Sequence, residues 1–229
     1  NGSRDTGFIT ITEAIQAVEL TGPFYPVWEL YNGGEITPRV QRRSSIGTTD
    51  PNFNPLVTDG PVYSIARALE GTSDDYSVYV GGGFSGGIYR LNRVGLIDAA
   101  FVVGSGFNDS VRKIVHAEDL SGDIYAVGEF TTYQGSAANG LVRLNDDGSP
   151  DINFMTGTGF SNADGLIPFG QFAASALAAD ASDDLYVGGD FTNYNGAAAD
   201  GIVRLDDSGM LDPEFDAQIS AESGTCIDG

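Results

Sequence analysis

One twelve-residue string constrains this chain more than anything else in it: Arg-x-x-x-x-Gly-x-x-Asp-x-x-Phe occurs four times without a gap. It runs from Arg42 to Phe53, from Arg90 to Phe101, from Arg143 to Phe154 and from Arg204 to Phe215. The arginines lie 48, 53 and 61 residues apart, a spacing that suits propeller blades or comparable β-units. A repeat of this size is one supersecondary unit. It cannot bury its apolar face alone, so neighbouring copies have to stack.

A second block precedes each arginine. Copies three and four read DLSGDIYAVGEFTTYQG from Asp119 and DASDDLYVGGDFTNYNG from Asp180, matching without insertion. Copy two gives DDYSVYVGGGFSGG from Asp74 and reaches its arginine with a trimmed loop. Copy one is degenerate: FYPVWELYNGG puts Trp28 where the others have Phe and keeps Tyr31-Asn32-Gly33, and no Leu follows Arg42. A Gly-Phe pair recurs at Phe107 and Phe160, with Phe8 as a further candidate. The expected units are 1–53, 54–101, 102–154 and 155–215, with 216–229 starting another.

Within a unit, short Tyr-, Val- and Phe-rich runs alternate with Asp/Ser/Gly clusters, the pattern of strands joined by hairpin turns. Strands are expected over 111–117, 124–130 and 140–145, and again over 175–179, 185–191 and 201–206. The turns Asn145-Asp146-Asp147-Gly148 and Asp206-Asp207-Ser208-Gly209 close a further hairpin onto a short Asp-x-x-Phe strand. Only 13–20 comes close to a helical pattern, and it occupies a position where the other copies show a strand. The fold class is all-β, a propeller-like array of about four antiparallel sheets that could be part of a larger propeller. The 32 glycines fit many tight turns.

The pattern Y-V-G-G-x-F-T-x-Y-x-G followed by R-L-N-x-D-G-x-x-D-x-x-F resembles the delta-60 repeat, a β-propeller-like unit of bacterial and phage surface proteins. The resemblance covers nearly the whole chain and is strongest from Asp74 to Phe215. It implies a structural or adhesive role on the outside of a cell or virion, with other subunits or further copies of the chain as partners. It brings no catalytic residues with it.

The repeated residues themselves suggest a scaffold. Each arginine has an aspartate eight positions later, across a turn, and a hairpin can bring the two together: Arg42 with Asp50, Arg90 with Asp98, Arg143 with Asp151 and Arg204 with Asp212. An arginine reading a ligand carboxylate or phosphate fits less well with recurrence in every copy. Phe53, Phe101, Phe154 and Phe215 read as core wedges between sheets. Tyr133 and Tyr194, in the loops after the second block, are candidate platforms for stacking a glycan or other ligand.

Candidate chemistry is thin. Gly83-Phe84-Ser85-Gly86-Gly87 spells a nucleophile elbow, but that motif needs a strand-to-helix turn and a histidine partner. The aligned copies carry Thr131 and Thr192 in place of Ser85, and His116, the one histidine, falls in a strand of another unit. Gly81, Gly83 and Gly86 spell the dinucleotide fingerprint without a helix to hold a pyrophosphate. The chain is therefore expected not to be an enzyme and to need no cofactor, calcium being the candidate metal. Hard cations want clustered oxygens, and Asp119, Asp123, Asp180 and Asp184 offer carboxylates on tight turns, although turn formation alone explains Asp, Ser and Gly there.

Charge narrows the partners. The chain carries 32 acidic against 11 basic residues, a net charge of −21, with Lys113 its one lysine. Such a surface repels phosphate backbones, so nucleic acid is not an expected partner. An Asp-rich, Lys-poor surface also suits a saline or extracellular setting, or simply keeps an acidic protein soluble. No apolar run approaches the roughly 18 residues of a membrane-spanning helix. Asn1 in place of an initiator Met reads as a processed chain or an excerpt of a longer one. Cys226, the one cysteine, excludes an internal disulfide; it reads as a plain residue, an intermolecular bridge or a reactive thiol. The glycosylation sequons at Asn1 and Asn108 discriminate little.

Overall fold

The computed structural model describes residues 14–20, 27–33, 37–43, 48–54, 56–68, 77–119, 121–161, 176–180, 182–199 and 201–215, with backbone only at 14–20, 27–33, 37–38 and 176. Phe8, Cys226 and the further unit expected over 216–229 lie outside these residues.

Among the described residues four main antiparallel sheets follow one another along the chain, with two smaller ones beside the third and fourth. The first has β1 (Ala14–Leu20), β2 (Val27–Gly33), β3 (Thr37–Arg43) and β4 (Leu56–Val57), in that order. Within the near-helical stretch 13–20, Ala14–Leu20 is thus a strand, as its place in the repeat requires. The second sheet has β5 (Val62–Arg67), β6 (Val78–Gly82) and β7 (Ile88–Leu91). In the third, β9 (Ile124–Gly128) lies between β8 (Val111–His116) and an arginine-bearing strand. Two short strands, β10 (Thr132–Tyr133) and β11 (Ser136–Ala137), pair in a separate hairpin before that strand, β12 (Leu141–Leu144).

The fourth unit repeats the arrangement. After β13 (Phe160–Ser161) come β14 (Ala176–Ala179) and the middle strand β15 (Leu185–Gly188). Next are β16 (Asn193–Tyr194), which pairs with β13 and with β17 (Ala197–Ala198), and finally β18 (Ile202–Leu205), which closes the sheet on β15. Strand β4 is a departure from the expected boundary at 53/54. It follows that boundary in sequence but hydrogen-bonds back to β3 of the first sheet.

Alternation along the middle strands explains how the sheets stack, because successive side chains of a strand point to opposite faces. Every residue of β6 and β9 is buried. Val78 and Val80 enter one core with Val40, Phe53 and Ile65, whereas Tyr79 enters the next with Phe101, Ile114, Ile124 and Ala126. Tyr125 and Val127 then enter a third core with Phe154, Leu177, Leu185 and Val187. There are thus three apolar layers between four successive sheets, each built from two units. The first strands β1, β5, β8 and β14 lie side by side in chain order. No helix among the described residues is long and apolar enough to cross a membrane.

The segment expected to be a short Asp-x-x-Phe strand is a turn. A single bridge pairs Leu91 with Ile97, Leu144 with Pro150 and Leu205 with Leu211, and a turn follows each. The aspartate causes it. Its Oδ1 accepts the amide two residues on, from Asn52, Ala100, Asn153 and Glu214 in the four units at 2.8–2.9 Å, a local bond that competes with extended pairing. In the last unit, residues 213–215 form one helical turn.

Candidate functional site

The four repeated arginines, aspartates and phenylalanines form one recurring lock. In each unit the aspartate amide donates to the arginine carbonyl at 2.8–2.9 Å, closing the hairpin. The aspartate Oδ2 then accepts the arginine Nε at 2.7 Å in Arg42–Asp50, 2.8 Å in Arg90–Asp98 and 2.7 Å in Arg204–Asp212. The guanidinium lies over the phenylalanine ring, 5.4 Å from Phe53, 5.6 Å from Phe101 and 5.9 Å from Phe215. A tyrosine of the middle strand meets that ring edge-on, as Tyr79 does Phe101 at 5.3 Å and Tyr186 does Phe215 at 5.6 Å. Burial alone would raise the Asp50 carboxyl, but the Asn52 amide and the Arg42 guanidinium together hold it below its ordinary value.

The lock reaches into the next unit. Arg42 Nη1 donates to the carbonyl of Arg93 at 2.6 Å, and Arg90 Nη1 donates to that of Asp146 at 2.9 Å while also pairing with its carboxylate. The residue after each phenylalanine sends its amide the same way: Asn54 to Val94 at 2.8 Å, Val102 to Asp147 at 2.8 Å and Met155 to Ser208 at 2.9 Å. Phe53, Phe101 and Phe154 are buried, each in the core shared with the following unit. Phe215 is only half-buried.

The third unit elaborates the pattern. Arg143 Nε stands 3.5 Å from Asp151 and turns instead to Asp123 at 3.1 Å, while Nη2 reaches Asp119 at 2.5 Å. Its Nη1 donates to Asp183 of the following unit and to the Tyr125 hydroxyl, both at 3.2 Å. Asp183 is 6% exposed and accepts in addition the Glu118 amide at 3.0 Å and the Tyr125 hydroxyl at 2.9 Å. Burial pushes the Asp123 carboxyl up despite Arg143. Asp119, more exposed, is held down: burial opposes, but Ser121 and Arg143 outweigh it. Sequence comparison missed Asp183, because Gly122 holds the aligned position in copy three; its positive φ of 63° marks a turn that Gly or Asp can take.

Two sets of expected ligand residues are engaged within the protein. Tyr133 and Tyr194, expected as stacking platforms, are 1% and 0% exposed. Each ring packs on the Gly-Phe phenylalanine of its unit, Phe107 or Phe160. Each hydroxyl donates at 2.7 Å to a glycine carbonyl, Gly148 or Gly209. Apolar neighbours draw the rings inward and that hydrogen bond removes the cost of burying the hydroxyl. The calcium candidates are likewise engaged. Asp119 and Asp123 hold Arg143, Asp184 is 3.7 Å from Arg204, and Asp180 Oδ1 accepts the amides of Ser182 and Asp184. Arginines thus pair with three of these four carboxylates, and no group of three or more His, Cys, Asp or Glu that could hold a metal occurs among the described residues.

Ser85 sits in the hairpin between β6 and β7, with no helix following. Its hydroxyl donates to Asp59 Oδ2, and its amide donates to Oδ1 at 2.8 Å. The glycines at 81, 83 and 86 belong to the same hairpin. His116 ends β8, 3.5 Å from Glu118.

Stacked small sheets, locked unit to unit, define a β-propeller-type repeat chain. Two stretches, 121–154 and 182–215, match the family described as a domain of unknown function (DUF5122) beta-propeller. They cover the third and fourth locks, where the repeat is best preserved. Among curated proteins there is no match.

Proposed function

We propose that this chain is a non-enzymatic structural or adhesive β-propeller module on the outside of a cell or virion, working through contact with other copies of itself. The observation that carries this reading is the use made of the repeated residues: all four Arg–Asp–Phe sets pack within their unit, and the first three also join it to the next. The resemblance to delta-60 surface proteins supports the exterior setting, and a −21 chain with a single lysine is compatible with it.

Exposed apolar side chains supply the contact surface. Leu96 and Met210 follow the turn glycine of their units and are 49% and 61% exposed; Val102 and Met155 follow the lock phenylalanine and are 59% and 63% exposed. Ile152, in the third Asp-x-x-Phe turn, is 87% exposed. On so charged a protein, apolar residues recurring at matching places mark an interaction surface.

Light scattering on the purified chain, with electron microscopy, tests this. Self-association is expected to rise between about 0.05 and about 1 M NaCl as salt screens the acidic surface, and to be lost in Val102→Asp/Met155→Asp. A chain that stays monomeric at every salt concentration contradicts the reading, as does catalytic turnover that survives purification.

A further inference from the structure

Several cations of this acidic chain have visible work. Among the described residues the four lock arginines are ion-paired, and Arg112 pairs with Glu129 at 2.6 Å. Arg67 and Lys113 differ. Neither is in an ion pair among the described residues, and Arg67 Nε is buried with no hydrogen-bond partner. A buried donor left unmet costs free energy unless something accepts from it.

Both residues line the same cavity, of about 290 Å³, where β5, β8 and β14 come together. The first strands of three units build it. β5 contributes Arg67 and Ile65, β8 contributes Lys113, Ile114 and His116, and β14 contributes Leu177 to Ala179. Among the described residues Glu118 is the only acidic one lining it, and its carboxylate lies beside His116. With Arg67 and Lys113 positive and Glu118 negative, the described lining is cationic in a chain of −21. The apolar wall of Ile65, Ile114 and Leu177 lowers the local dielectric and strengthens any charge pairing made there.

We propose that the cavity between β5, β8 and β14 binds a small oxyanion, a carboxylate or a phosphate, through Arg67 and Lys113. The guanidinium supplies a planar fork that matches either group, and the ammonium supplies a second, mobile donor. The cavity has room for the anionic group of a sugar acid or sugar phosphate, with its apolar wall against the rest. None of the residues involved belongs to the repeated lock or to the exposed apolar surface, so the site stands apart from the self-association proposed above.

Calorimetric titration with glucuronate and with inorganic phosphate, each against chloride at matched ionic strength, tests the proposal and separates the two anion classes. Saturable binding of at least one probe is expected, weakened roughly tenfold or more in Arg67→Gln and in Lys113→Gln. Arg93→Gln, a surface change outside the cavity, should leave it intact. Circular dichroism establishes folding of each variant, and Lys113→Gln keeps the test open if Arg67→Gln does not fold. Absence of saturable binding by both probes overturns the proposal. So does equal binding by wild type and the folded cavity variants, which reports only screening of the acidic surface. Either result leaves the salt dependence of self-association to be judged on its own.

Discussion

Replacing Arg143 by Leu removes the one cation that four carboxylates share. Asp119, Asp123, Asp151 and Asp183 all lie within 3.5 Å of the guanidinium, whose side chain is 8% exposed. Asp183 is as buried as the arginine itself and comes from the next unit. Removing one partner of a buried pair leaves uncompensated charge, and about 3–5 kcal/mol is the usual consequence. That range applies here because three of the four carboxylates are at most 14% exposed on their side chains. The loss should depend on pH. In the wild type Asp119 titrates below its ordinary value, so its stabilising contribution is present at neutral pH and is lost as pH falls through the folded value. Asp123 titrates above its ordinary value, so its ionisation costs stability as pH rises. Without Arg143, Asp119 and Asp123 lose the guanidinium that holds them down, and protonating them relieves the repulsion. Urea denaturation should therefore show the full deficit at about pH 7 and a much smaller one near pH 4. A deficit under about 1 kcal/mol at neutral pH, the range of an exposed pair, or one that does not change with pH, would refute the reasoning.

Other substitutions probe the lock elsewhere. Phe101→Ala should cost about 3–5 kcal/mol in urea denaturation, because its ring is 3% exposed in the core shared with the following sheet; half-buried Phe215 should lose less on the same change. Tyr133→Phe should cost about 0.5–1.5 kcal/mol, the hydroxyl bond to Gly148, with no change in glycan binding on an array. Gly95→Ala should cost at least about 1–2 kcal/mol, since its φ is +82° and an added Cβ would meet the Asn54 carbonyl at 2.2 Å. Gly135→Ala, with open space around it, should lose only the backbone part, as thermal melting of the pair will show.

The lock was legible in the sequence because it is local. Arg90, Asp98 and Phe101 sit in one gapless string, so hairpin geometry alone brings them together. The turn nature of Asp-x-x-Phe was legible too, in principle, since an aspartate side chain favours a local bond to the amide two residues on over a strand. What escaped depends on neighbouring units. Tyr133 looked like a loop residue, yet Phe107 and the Gly148 carbonyl bury it. Asp183 differs from its counterpart Gly122, so comparing copies hid the residue that joins the third unit to the fourth. The cavity of Arg67 and Lys113 belongs to first strands of separate units, and no spacing along the chain announces it.

Hydrogen exchange at three amides tests most directly whether consecutive units are joined by one repeated device. Asn54, Val102 and Met155 are exposed residues whose amides donate into the next unit. Exchange resolved by NMR should find these three protected alongside the strand amides, though their side chains face solvent. If instead they exchange at the rate of an open chain, the units are not clasped as described and the stacked-sheet account fails.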